Sequence, residues 1–283
     1  MARSLQMTTW KSFLTRAASA IVALAIIFAL YYFLKIPGLK IIIAVAVALS
    51  AWELLGILFK TETSKTLRTA FFILSFFVFA VSTMALNLGA IVYAISLILL
   101  TIISLLKLHT TGDLQRMGKF QANAALGLMY VGLLPSFAFR LLDQEQGIFW
   151  FIYLLAVVFA GDTMAYCFGV LFGKHKVMPS VSPKKTWEGS LGGILGSVVA
   201  GTICWKYLLP EFSGYFIVGL AAVSGYVGQF GDFFESLLKR VAEVKDSGKI
   251  MPGHGGVLDR IDGVLFASPV VLLGVVILSH LLS

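Results

Sequence analysis

Residues 88–106 read LGAIVYAISLILLTIISLL, a run of apolar and small residues without a charged side chain. A helix needs roughly 20 mainly apolar residues to cross about 30 Å of hydrocarbon, and this run is long enough. Similar runs recur through the 283 residues, of which 59% are hydrophobic and 13% charged, about half the charged share of a soluble domain. The sequence therefore predicts an all-α polytopic membrane protein.

Nine segments are predicted to be transmembrane helices. Turn residues separate several of them, with Pro37 and Gly38 between the first two. Asn87 and Gly89 are predicted to separate the third from the fourth. The predicted spans are residues 17–34, 39–59, 67–86, 88–106, 122–142, 148–172, 191–208, 215–230 and 264–282.

The distribution of charge predicts the orientation. Nine spans place the two chain ends on opposite sides of the membrane. Positively charged residues accumulate in cytoplasmic loops, so the more basic side, which includes the N-terminus, is predicted to be cytoplasmic. This topology accounts for the net charge of +8 without nucleic acid as a partner. Of the 22 Lys and Arg residues, those on the opposite side are Lys35, Lys40, Arg140 and Lys206.

The chain changes character midway. Residues 1–16 form a predicted cytoplasmic tail. A second methionine at Met7 leaves open whether residues 1–6 belong to the native protein. Residues 17–160 are predicted to form the lipid-facing half. Residues 161–283 contain the two densest polar segments, both between Gly161 and Gly263, and are predicted to be the catalytic half, with cytoplasmic loops at 173–190 and 231–263.

The segment 231–262, GDFFESLLKRVAEVKDSGKIMPGHGGVLDRID, combines acidic and basic residues around a glycine-rich turn. Its carboxylates offer the oxygen ligands that Mg²⁺ prefers, and its cations can bind phosphates. A solvated loop with exposed ion pairs is the simpler reading of such charges. The PGHGG turn favours a binding site, because glycines allow a close approach of the backbone to a ligand. The residues concerned are Asp232, Ser236, Lys239, Arg240, Asp246, Gly253, His254, Gly255, Gly256, Asp259, Arg260 and Asp262.

A second polar segment, 161–193, reads GDTMAYCFGVLFGKHKVMPSVSPKKTWEGSLGG. Asp162 lies inside a predicted span, where an acidic residue indicates function unless it forms a structural hydrogen bond to a neighbouring helix. The SPKKT run precedes a helix start, which predicts a triphosphate-binding site; contact with lipid headgroups is the alternative for its two lysines. The candidate binding residues are Lys174, Ser182, Lys184, Lys185, Thr186 and Glu188.

These two segments resemble the phosphatidate cytidylyltransferase (CDP-diacylglycerol synthase) family. The resemblance rests on residues 236–262 and on the GDTxAYxxGxxxGK and SPKKTxEGxxGG patterns at 161–174 and 182–193. It implies the reaction of CTP with phosphatidic acid to give CDP-diacylglycerol and pyrophosphate, with Mg²⁺ as cofactor. The short chain is similar to the prokaryotic form, and the family also implies a homodimer.

The resemblance implies roles for individual residues. Asp232, Asp259 and Asp262 are expected to bind the metal with Asp162, and a second cation is left open. Catalytic roles are expected for Asp246, Lys239, Arg240, Arg260 and His254. Substrate contacts are expected from Ser236 and the glycines Gly253, Gly255 and Gly256, in addition to the SPKKT segment.

Two other functions fit the same residues less well. A CTP-dependent transferase that acts on an ether lipid or a polyprenol would share the metal and phosphate residues, and its selectivity would lie in the apolar first half. A cation-coupled transporter would use Asp162 and Glu53, but the sequence shows no strong internal repeat and its polar residues crowd on one side. Glu53 either forms a hydrogen bond within the helix bundle or lines a cavity for the lipid phosphate.

Overall fold

The computed structural model describes residues 21–22, 25–62, 64–109, 112–251, 253 and 255–282. Within these residues the chain is almost entirely helical, and a short β-hairpin is the exception. A π-helical turn, Leu128–Leu133, joins α5 to α6. The helices are α1 (Ala25–Leu34), α2 (Ile36–Leu58), α3 (Lys65–Met84), α4 (Leu86–Leu108), α5 (Leu114–Gly127), α6 (Leu134–Leu141), α7 (Gly147–Phe172), α8 (Trp187–Leu208), α9 (Gly214–Val241) and α10 (Leu258–Leu282).

The all-α polytopic prediction is confirmed. In the described part of the chain, eight helical segments are long and apolar enough to cross a membrane, counting Leu114–Leu141 as one. They correspond to the second through ninth predicted spans. The first predicted span, 17–34, lies partly outside the described residues, and its described part includes α1. The tail 1–16 also lies outside them, so the count of nine spans and the orientation of the termini remain predictions.

The break between the third and fourth spans is not where the turn residues placed it. The chain leaves helical geometry at Ala85, which is extended with φ −155° and ψ 130°. Asn87 and Gly89 therefore belong to the first turns of α4. Gly89 serves helix packing instead: a Cβ at this position would lie 2.3 Å from Ser82 Oγ of α3.

Small residues allow α7 and α8 to pack closely, which is the usual way in which helices associate in lipid. A Cβ added to Gly193 of α8 would lie 3.0 Å from Ala165 Cβ and 3.1 Å from the Gly161 carbonyl oxygen of α7. The Ser197 hydroxyl of α8 donates to the Val157 carbonyl of α7 over 2.9 Å. This packing brings the two halves of the 161–193 segment side by side.

The β-hairpin connects α7 to α8. Strand β1 (Lys176–Met178) pairs antiparallel with β2 (Ser182–Thr186), so the SPKKT run is a strand that leads directly into α8. Farther along, α9 continues to Val241 and α10 begins at Leu258, so the irregular part of the predicted loop 231–263 is confined to 242–257. We call residues 242–257 the α9–α10 loop.

Candidate active site

A cavity of about 690 Å³ lies between the C-terminal half of α7, the start of α8, the C-terminal part of α9, the start of α10 and the β-hairpin. Small-molecule sites commonly have this volume. Its lining is rich in charge although it lies among helices that could span a membrane. The lining residues are Asp162, Ala165, Tyr166, Gly169, Val170, Lys176, Lys184, Lys185, Thr186, Gly189, Ser190, Gln229, Asp232, Phe233, Glu235, Lys239, Asp246, Asp259, Arg260 and Asp262.

Carboxylates from three helices and the α9–α10 loop meet in this cavity. Asp232 and Glu235 are three residues apart on α9, and Asp259 and Asp262 are three apart on α10, so each pair shares a helix face. Glu235 is 1% and Asp262 8% exposed, whereas Asp162 on α7 is exposed to the cavity. The structure thus brings together all four predicted metal ligands, which are separated by up to a hundred residues in the chain.

Lysines pair directly with these acids. Lys185 Nζ of the hairpin lies 2.5 Å from Asp232 Oδ2. Lys239 Nζ lies 2.5 Å from Glu235 Oε2 and 2.6 Å from Asp259 Oδ1, with only 13% of its side chain exposed. Such pairing is needed because an unpaired charge in a poorly solvated site is costly. Three further cations line the cavity: Lys176, Lys184 and Arg260.

Asp259 also shapes the α9–α10 loop. Its Oδ2 accepts hydrogen bonds from the Ser247 amide (3.0 Å), the Ser247 hydroxyl (2.9 Å) and the Gly256 amide (2.8 Å). Its Oδ1 accepts from Lys239. Both carboxylate oxygens of Asp259 are therefore engaged by protein donors.

The glycine-rich turn is irregular, as its composition predicted. Gly253 and Gly255 have φ values of 76° and 84°, a region that side chains with a Cβ rarely adopt. The Met251 amide donates to the Gly255 carbonyl over 3.0 Å and closes the turn. The predicted catalytic residue His254 lies outside the described residues.

Residues of the GKHK and SPKKTWEG segments hold the hairpin onto α8. Thr186 caps α8 by accepting from the Gly189 amide over 3.2 Å. Glu188 Oε2 accepts from the Lys174 and His175 amides at 3.1 and 3.2 Å, and its Oε1 lies 2.6 Å from His175 Nδ1. In this geometry Glu188 positions the base of the hairpin, which carries Lys184 and Lys185.

Several predicted site residues do not face the cavity. The Arg240 guanidinium donates through Nε to the Val181 carbonyl over 3.2 Å, which ties the hairpin to the end of α9. The Ser236 hydroxyl donates to Asp232 Oδ1 over 3.3 Å. Among the described residues, the predicted ones outside the cavity lining are Lys174, Ser182, Glu188, Ser236, Arg240, Gly253, Gly255 and Gly256.

Other lining residues were not predicted from the sequence. Glu235 could have been found, because it lies three residues after Asp232 and four before Lys239, on the same helix face. Gln229 and Ser190 carry no local signal. Their side chains meet across α8 and α9, where Gln229 Nε2 donates to the Ser190 carbonyl (3.0 Å) and the Ser190 hydroxyl to Gln229 Oε1 (2.5 Å).

Comparison with known proteins matches this sequence to a family. A model of the cytidylyltransferase family covers residues 14–278, nearly the whole chain. The chain belongs to the cytidylyltransferase family. Among similar proteins, phosphatidate cytidylyltransferases from Staphylococcus aureus (strain COL) and Staphylococcus haemolyticus are each 38% identical over 144 residues, and one from Staphylococcus saprophyticus is 37% identical. The aligned part is 51% of this chain and 55% of each relative, so the chain spans about half the length of the curated relatives it matches.

The cavity's donor set is compatible with the Mg²⁺ that the family resemblance implies. Within the described residues, no three Asp, Glu, His or Cys side chains converge into a metal site of their own. Mg²⁺ does not need one, because it usually keeps several waters and shares phosphate oxygens with a substrate. Asp162, Asp232, Asp259 and Asp262 all line the cavity. Protein donors engage both oxygens of Asp232, through Lys185 and Ser236, and both oxygens of Asp259, through Lys239 and the α9–α10 loop.

Proposed function

We propose that this protein transfers the cytidylyl group of CTP to phosphatidic acid and forms CDP-diacylglycerol and pyrophosphate for phospholipid synthesis. The proposal places the protein in the cytoplasmic membrane, with the cavity open to the cytoplasm, where CTP is found. The observation that supports it most is the meeting of six carboxylates and five cations in one cavity within a bundle of apolar helices. A charged site among apolar helices suits the binding of a soluble triphosphate next to a membrane lipid.

The reaction requires little covalent work from the protein. A phosphate oxygen of phosphatidic acid attacks the α-phosphorus of CTP, the bond from that phosphorus to the bridging oxygen breaks, and pyrophosphate leaves with the bond's electrons. Catalysis then depends on positioning and on neutralising the negative charges brought together. When bound, Mg²⁺ would polarise the α-phosphate.

The cavity residues divide this work between them. Asp162, Asp232 and Asp262 would hold Mg²⁺ from three different helices. Lys184 and Lys185 on the hairpin would bind the phosphates of CTP by charge. Arg260, at the start of α10, lines the same cavity and would contact the phosphates as well.

The lipid would enter from the side of α7. Tyr166 and Val170 line the cavity and are 74% and 67% exposed. An apolar surface continuous with a charged cavity suits a molecule whose acyl chains stay in the membrane while its phosphate enters the site.

A reconstituted assay tests the proposal. Purified protein in mixed micelles with CTP, phosphatidic acid and Mg²⁺ should release pyrophosphate and form CDP-diacylglycerol without any ion gradient. Lys239→Met should abolish most turnover, because it leaves Glu235 and Asp259 without their shared cation. Lys245→Met is the matched control, since Lys245 is an exposed residue of the α9–α10 loop outside the cavity lining.

Other outcomes would replace the proposal. Turnover of CTP only with an ether lipid or a polyprenol substrate would make this a transferase of different lipid specificity. Cation flux that requires Asp162 and occurs without CTP would make it a transporter. The homodimer that the family resemblance implies is tested separately, by the mass of the purified protein in detergent.

A further inference from the structure

A carboxylate from the first half of the chain holds the α9–α10 loop. Glu53 lies on α2 and is only 4% exposed. Its Oε1 accepts from the Val257 amide over 3.1 Å, and its Oε2 accepts from the Leu258 amide over 2.9 Å. The Ser247 hydroxyl lies 3.2 Å from Glu53 Oε2 and can donate to it or to Asp259.

These contacts cap α10 from a distance. The first amides of a helix have no partner within the helix, and a negative charge there is also favoured by the helix dipole. Capping groups normally come from a residue next to the helix. Here the cap comes from α2, more than two hundred residues earlier in the chain.

The other end of the loop is also attached to α2. Lys60, just beyond the C-terminus of α2, donates through Nζ to the Ala242 carbonyl over 2.8 Å. Ala242 is the C-cap residue of α9, so a positive charge meets the negative end of that helix. Glu53 on α2 therefore contacts the C-terminal end of the α9–α10 loop, and Lys60, just after α2, contacts its N-terminal end.

The loop is packed closely around the Glu53 carboxylate. A Cβ added to Gly248 would lie 2.3 Å from Glu53 Oε1, and a Cβ added to Gly256 would lie 2.5 Å from Oε2. Real Cβ atoms essentially never lie this close, so a side chain at either position would displace the Glu53 carboxylate from its hydrogen bonds. The carboxylate thus lies among residues 247, 248 and 256–258, which come from both ends of this stretch.

We propose that Glu53 is a positioning residue for the reaction. It aligns the α9–α10 loop and the start of α10, and through them Asp259 and Arg260, without contacting substrate. The kinetic part of this inference rests on the proposed function, while the structural part does not. Glu53, a residue of the apolar first half of the chain, would thus support the geometry of the active site.

Glu53→Gln tests the inference, because it keeps the shape of the side chain but turns one acceptor into a donor that faces a backbone amide. Hydrogen exchange measured by mass spectrometry should become at least tenfold faster in peptides covering 247–258, with no change in α3 or α4. Glu62→Gln is the matched control: Glu62 follows the same helix and is 6% exposed, but its carboxylate pairs with Arg116. Unchanged exchange at 247–258 in Glu53→Gln, or equal acceleration in Glu62→Gln, would overturn the proposal.

Gly248→Ala perturbs the same contact from the loop side. Alone, it should accelerate exchange at 247–258, because its Cβ displaces the Glu53 carboxylate. Combined with Glu53→Ala, which removes the clashing atoms, it should add little. Strictly additive effects of the two changes would show that they act independently and would refute the assignment.

The kinetic test separates positioning from binding. Glu53→Gln should lower kcat about tenfold or more, since small misplacements of active-site groups have effects of this size. The KM for CTP should rise by a smaller factor than kcat falls, because Lys184 and Lys185, which would bind the CTP phosphates, lie on the hairpin. A raised KM with normal kcat would contradict the positioning role. If the wild-type protein makes no CDP-diacylglycerol, the proposed function fails, and the exchange measurements still decide whether Glu53 holds the loop.

Discussion

Asp259→Asn separates two roles that this carboxylate could have. The sequence predicts a metal ligand, whereas the structure engages both oxygens with protein donors: Lys239 on one side, and Ser247 and Gly256 on the other. Asparagine is nearly isosteric, but it has one acceptor oxygen where aspartate has two. That oxygen can face either Lys239 or the loop, and the new NH₂ group must face the remaining donors.

The contacts allow the cost to be worked out. If the oxygen keeps Ser247 and Gly256, the variant loses one charge-assisted hydrogen bond to Lys239, worth about 1.5–3 kcal/mol. Three further bonds lose the contribution of the carboxylate charge, at roughly 0.5 kcal/mol each. Glu235 remains as a partner of Lys239 and offsets part of this loss. The net loss of interaction energy is about 3 kcal/mol. If the whole loss raises the activation free energy, the rate falls roughly 10²-fold.

The assay is kcat/KM for CTP as a function of Mg²⁺ concentration, together with thermal unfolding in detergent. Asp259→Asn should lose activity and stability together, and high Mg²⁺ should not restore the rate. Asp262→Asn should be partly restored by Mg²⁺, because Asp262 presents an oxygen to the cavity while Oδ1 accepts from the Gly263 amide. Glu243→Gln, on an exposed residue of the loop, should behave as wild type. Full rescue of Asp259→Asn by Mg²⁺ at unchanged stability would show that Asp259 is a metal ligand and does not act through Lys239 and the α9–α10 loop.

Three further predictions concern topology and the hairpin. A reporter fused after Ser283 should lie outside the cytoplasm, and a reporter inserted in the hairpin should lie inside it, as measured by accessibility labelling. Two reporters on the same side would contradict the orientation predicted from the charge distribution. Lys184→Ala combined with Lys185→Ala should raise the KM for CTP with little change in fold. If the double variant has the kcat and KM of the wild type, the two lysines contact lipid headgroups instead of CTP. Arg240→Ala should lower kcat less than about threefold, because its guanidinium binds the Val181 carbonyl and not the cavity; a loss of a hundredfold or more would restore the catalytic role that the sequence predicted.

The sequence determined the class of the protein and the residue types of its site. Apolar runs of spanning length define helices whatever their packing, because in lipid the backbone must satisfy its own hydrogen bonds. The four aspartates and the hairpin lysines could also be found, because Asp162 interrupts an apolar run and the rest cluster in two short segments. Their convergence in one cavity agrees with that reading.

Only the tertiary structure decided which side chains meet. Helical periodicity indicates the face that a residue occupies on its own helix, but the rotation and depth of one helix against another depend on packing. This is why the sequence did not show that Arg240 and Glu188 contact the hairpin and its base, or that Gln229 and Ser190 line the cavity. Glu53 is the clearest case. Read alone, it was one acid in an apolar helix; it caps α10 only because α2 packs beside a loop that follows it by nearly two hundred residues.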